Sequence, residues 1–218
     1  MSLGILFRDE LNGFYRSKVM LFLWVGLPLL GLLLYYAQPS AGQTPLSSFI
    51  ALVVSAIGGT LSSVMLAVTI INEKERKVYD LFVIRPIKRW EIIVSKFLAV
   101  FLCVVVAATI AILLGLAVDT VRMGALPSNF VGDLLSSFAI TLGMIGISSS
   151  ASALIGIASP SVLVGVIAVL YGSNQLSAAV ILPVLLMNAS ALLTIGVSLL
   201  ITGVLLVLAC VYFERKQL

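Results

Sequence analysis

The chain has 218 residues, 61% of them hydrophobic and 10% charged, with a formal net charge of +4 and no histidine. Soluble domains carry about 25% charged residues, so this balance belongs to an integral membrane protein with room for about six spans and no separate soluble domain. The basic residues cluster beside apolar runs, where they set orientation and meet anionic headgroups, so nucleic acid is not the expected partner.

Residues 2–18 read as an amphipathic helix lying in the membrane interface. Leu3, Leu6, Phe7, Leu11 and Phe14 recur at three- and four-residue steps, while Arg8, Asp9, Asn12 and Arg16 take other faces. A cleaved signal peptide is the competing reading; Asp9, Glu10 and the length of the following apolar run argue against it. The first span is expected over 19–36, with Pro28 able to kink it and Trp24, Tyr35 and Tyr36 as interface anchors. The second, 49–71, is dotted with Ser55, Gly58, Gly59, Thr60, Ser62 and Ser63, which either let helices approach closely or line a polar path; packing is the expected role.

A charged stretch, 73–96, separates the second span from the third, 97–118. After a polar loop with Arg122 and Pro127, residues 134–213 hold no charged side chain. Three further spans fit there, at 134–158, 161–173 and 190–213. Ala139/Gly143 and Gly146/Ser150 stand at small-xxx-small spacing, and Ser159-Pro160-Ser161 reads as a tight turn. Gly172-Ser173-Asn174-Gln175 interrupts the apolar run, and Pro183 follows, so 174–189 is expected as a short re-entrant helix in the outer leaflet. The expected fold is therefore all-α, six spans in one transmembrane domain. With both termini on one side, that side collects Arg8, Arg16, Lys18, the seven basic residues of the central stretch, Arg215 and Lys216. The other side collects only Arg122, which places both termini and residues 73–96 in the cytoplasm.

No enzyme constellation emerges. The missing histidine removes the commonest metal ligand and the usual general base, and the expected spans hold no acid or base. The serines lack a base that could activate them, and no phosphate-binding glycine loop with its lysine occurs. Cys103 and Cys210 fall inside apolar runs and read as packing residues rather than a disulfide framework. An ion-coupled carrier keeps ionisable groups at the midplane, so a transport function here draws its energy from another chain. An uncharged path suits an apolar or amphiphilic cargo.

Within 73–96, apolar Leu81, Phe82, Val83 and Ile84 precede basic Arg85, Lys88 and Arg89 around Pro86, and Trp90, Ile92 and Ile93 lead back into the membrane. A loop that only fixes topology needs no such order. The run Glu75-Arg76, Asp80-Leu81-Phe82-Val83, Pro86-Ile87-Lys88-Arg89-Trp90-Glu91-Ile92 and Lys96 resembles the intracellular loop of ABC-2 type transporter permeases. Lys77-Val78 stand where that family commonly has Gly-Thr. The resemblance implies a cytoplasmic coupling helix between spans two and three, docking on a separate ATP-binding subunit. The second permease subunit of the pair is a homo- or heterodimer partner. Asp80, Pro86, Arg89, Glu91 and Lys96 take the family's motif positions, with Leu81, Phe82 and Ile84 as apolar anchors and Arg85, Lys88 and Arg89 as charge partners. The interfacial helix (Phe7, Arg8, Leu11, Phe14, Arg16) is expected to support the same contact. No cofactor is expected in this chain; ATP and Mg belong to the partner. Export from the cytoplasmic membrane is the implied function, against a stand-alone six-span carrier or channel, or a scaffold without transport.

Overall fold

The computed structural model describes residues 3–15, 18–37, 46–76, 89–123, 130–186 and 191–215, and these are helical almost throughout, with no strand among them. In chain order the helices are α1 (Leu3–Tyr15), α2 (Lys18–Ala37), α3 (Leu46–Glu75), α4 (Arg89–Met123), α5 (Phe130–Ala158), α6 (Val162–Ala168), α7 (Asn174–Leu186) and α8 (Ala191–Arg215). A π-helical turn, Val169–Ser173, joins α6 to α7. Five segments are long and apolar enough to cross a membrane: Leu52–Glu75, Trp90–Val118, Leu134–Ala158, Val162–Ile181 and Leu192–Arg215. Helices are what such a sequence must form, because hydrocarbon offers no partner for free backbone groups.

The most enclosed of these spans belongs to α5, which packs along α3. Small residues bring the two together. A Cβ on Gly156 would lie 3.2 Å from Ala67 Cα, and one on Gly59 would lie 3.0 Å from Ser148 Oγ. Ser62 Oγ and Ser149 Oγ share a hydrogen bond of 3.2 Å across the seam. Ser63 and Ser149 donate back to Gly59 O and Ile145 O of their own helices. Ser55, Ser62 and Ser63 of α3 are fully buried, as are Ser148 and Ser149 of α5. On its other side α5 meets α8, where Gly143 faces Ser198 and Gly146 faces Thr202. Gly143 and Gly146, one from each small-residue spacing, thus stand at this seam. With no hydrophobic drive between helices in lipid, close packing of this kind is what holds them together.

The break expected at Gly172–Gln175 does not occur. Residues 162 to 186 form one continuous helix, and the irregularity is confined to the single wide turn Val169–Ser173. The expected elements 161–173 and 174–189 are therefore one element across their described part. The reason is local: Ser173 Oγ donates to Val169 O at 2.6 Å and Ser177 Oγ to Asn174 O at 2.9 Å, so these hydroxyls fold back onto the preceding turn instead of opening it. A break would strand backbone groups in hydrocarbon; a π turn does not.

Helix α1 lies mainly against α4. Phe14 is buried and Phe7 and Leu11 pack on the core, while Arg8, Asp9 and Asn12 are exposed. The Tyr15 ring meets Trp24 of α2 edge-on at 5.5 Å.

Candidate functional site at the charged end

One end of the bundle gathers nearly all the described charge. The chain leaves α3 through Asn72-Glu73-Lys74-Glu75 and re-enters through the first two turns of α4, opened by Arg89, Trp90 and Glu91. Glu91, half-buried, lies in the first turn of α4, where a negative charge favours the helix dipole. Lys74 Nζ donates to Ser159 O at 3.1 Å and Ile157 O at 3.5 Å, so it caps the last carbonyls of α5 and fixes the turn 159–161 to this end. Ser161 in turn caps α6, its Oγ accepting from the Val164 amide at 3.5 Å.

The centre of this end is Lys96. Its side chain is 2% exposed, and its Nζ meets Glu10 Oε1 at 2.5 Å and Glu73 Oε1 at 2.6 Å. One ammonium therefore joins α1, α3 and α4. A buried lysine needs this: an uncompensated cation in a low dielectric is far more costly than a paired one. The counter-ions outnumber it, so the centre carries a net charge of −1 when all three groups are ionised. Burial holds the Glu10 carboxyl above its ordinary value of 4.5; Lys96 pulls it down, and Glu73 and Asp9 push it further up. Glu73 Oε2 is buried with no hydrogen-bond partner among the described residues. Beside the centre, Asp9, Glu10, Gly13, Phe14, Met65 and Thr69 line a cavity of about 390 Å³ between α1 and α3.

The sequence-expected site residues fare unequally. Glu75 is exposed at the end of α3 and Glu91 is half-buried at the start of α4. Lys96 does not lie on an exposed surface, because it is consumed by its two carboxylates. Asp80, Leu81, Phe82, Ile84, Arg85, Pro86 and Lys88 lie outside the described residues, as does Arg16; Arg89 opens α4. Of the interfacial helix, Phe7, Leu11 and Phe14 face the core and Arg8 faces outward. Glu10, Glu73 and Lys74 belong to this charged end although the sequence reading did not single them out. Their signal was the arithmetic of charge at a span margin, where a lysine at the foot of an apolar run requires acids from elsewhere in the chain.

No family model matches this chain, and no curated protein matches it either.

Proposed function

We propose that this chain is the membrane-spanning permease subunit of an ABC-2 type exporter, moving an apolar or amphiphilic substrate across the cytoplasmic membrane. In this reading α2 supplies the first of six spans, and both termini and residues 73–96 are cytoplasmic. The chain pairs with a second permease subunit. A separate ATP-binding subunit hydrolyses ATP with Mg and docks on residues 79–91. The chain itself is not an enzyme.

The observation that supports this reading best is the convergence at Lys96. The interfacial helix and the two helices that bracket the loop are joined at one buried ammonium. A push on residues 79–91 would reach α1, α3 and α4 together, as a coupling element requires. The turn 159–161, tied to α3 through Lys74, adds α5 and α6 to the same end.

The test is purification of the tagged protein from its native membrane, followed by identification of what accompanies it. A stoichiometric ATP-binding subunit, lost on Leu81→Asp with Phe82→Asp, is the expected result. Joint reversal of Arg85, Lys88 and Arg89 to Glu should uncouple ATP hydrolysis and leave the chain inserted. Recovery of the protein alone, with transport in liposomes free of any ATPase, would refute the proposal.

A further inference from the structure

Toward the end of α4 that lies away from the charged end, α4 and α5 part. Thr109, Ile112 and Leu113 of α4 and Leu134, Leu135 and Phe138 of α5 surround a pocket of about 280 Å³. None of the six is glycine, alanine or serine, the residues that draw α3 and α5 together, so the two helices do not close on one another at this level. The wall of the pocket is wholly apolar. Its one hydroxyl, on Thr109, donates to Val106 O at 2.8 Å within its own helix. Leu113 is 56% exposed and Leu135 47%, so the mouth faces the outer flank of the bundle rather than its core.

The spans fix its depth. Leu113 stands five residues and Thr109 nine residues before Val118, the end of the α4 span, which puts them ~7 Å and ~13 Å inside it. Phe138 stands four residues, ~6 Å, inside the Leu134 start of the α5 span. The hydrocarbon core is about 30 Å thick, so the pocket runs from its edge to just short of its middle. That is the depth of one leaflet. Water does not settle there, because an enclosed water needs several polar partners and this wall offers none. An empty pocket is also unfavourable, since atoms beside a void lose the dispersion contacts of a close-packed neighbour. A lipid chain is as apolar as the wall, is present all along the flank, and has the reach of one leaflet.

We infer that this pocket is a binding site for one acyl chain of a bilayer phospholipid, seated between α4 and α5 in the leaflet away from the charged end. The chain enters from the flank past Leu113 and Leu135, lies along Ile112 and Phe138, and ends near Thr109, the deepest of the lining residues. Its headgroup stays at the membrane surface, so the site recognises hydrocarbon alone. The lipid completes the packing that these large side chains keep the helices from making themselves. It is therefore held as a part of the fold, unlike lipid against Leu200 of α8, which is 67% exposed. The inference stands apart from the proposed function, because it needs neither cargo nor ATPase.

The experiment places the full chain in liposomes of synthetic dioleoyl phosphatidylcholine, a small fraction of which carries a diazirine at the end of one acyl chain. After illumination, adducts should concentrate on residues 109–113 and 134–138 and exceed those on 199–204 of α8 severalfold. Even labelling of the two regions would overturn the inference. So would labelling of 109–113 that needs added native-membrane extract, which would make the occupant a cargo molecule. As an independent readout, Leu113→Trp fills the pocket, while Leu200→Trp adds the same indole to the outer face of α8. In mass spectra of the intact proteins, purified in mild detergent from native membranes, the parent and Leu200→Trp should keep a phospholipid mass that Leu113→Trp loses. Equal retention by all three would refute the site, and the photolabelling decides it even if Leu113→Trp does not fold. Leu135→Cys in a Cys103→Ala, Cys210→Ala background should stay monomeric on oxidation; disulfide-linked dimers would give the mouth to a second copy and sink the lipid assignment.

Discussion

Replacing Lys96 by Met removes the one cation that Glu10 and Glu73 share. Each carboxylate oxygen sits within 2.6 Å of the ammonium, so the two oxygens are no more than about 5 Å apart. At an effective dielectric of ~20, two unit charges at that distance repel by about 3 kcal/mol, the low end of what losing one partner of a buried pair costs. The low end is appropriate because the glutamates keep 25% and 23% exposure. For an ordinary domain of this size, ~3 kcal/mol lowers the midpoint of thermal unfolding by ~6–12 °C. The assay is a melt of the purified protein in detergent. Intrinsic fluorescence is the local probe, because Trp24 stacks edge-on with Tyr15 at the end of α1 and shifts when that helix lifts. Adding Glu10→Gln and Glu73→Gln to Lys96→Met removes the repulsion and should restore most of the loss. If Lys96→Met melts within 1 °C (roughly 0.3 kcal/mol) of the parent, and the neutral triple variant is no more stable than the single one, the ionic centre holds nothing together.

Two more expectations concern the same bundle. Gly156→Val sets a side chain where a Cβ alone already lies 3.2 Å from the Ala67 backbone, which cannot yield as a flexible side chain would. It should cost about 1–3 kcal/mol, visible as a lowered melting midpoint; a neutral result would mean that α3 and α5 separate freely. The raised Glu10 carboxyl gives a pH signature. The folded state holds that proton more firmly than the unfolded chain, so stability falls as pH rises from the ordinary value of 4.5 through the raised one. Melting midpoints taken across that window should decline for the parent and flatten in Glu10→Gln, and equal slopes would contradict the assignment.

The helical membrane character was legible because charge is absent over such long stretches, and each of the five spans begins or ends near an expected one. The ends were less legible. α4 starts at Arg89 and α3 runs to Glu75, although the expected spans stop at 97 and 71. Polarity marks where a chain leaves hydrocarbon, but a helix keeps its backbone bonded well past that boundary. The same confusion produced the false break at Gly172–Gln175, where polar side chains sit on an intact helix. Lys96 was hidden for a different reason. Its position at the foot of a span is readable, but its partners come from residues 86 and 23 positions away, and one chain without neighbours gives no sign of such pairings.

The slight enclosure of α8 bears on how the molecule is made. A chain inserted from its N-terminus presents this helix after α3 and α5. What it finds is a finished groove floored by Gly143 and Gly146, into which Ser198 and Thr202 fit. With glycine on the α5 side, the hydroxyl-bearing residues of this seam come from the arriving helix.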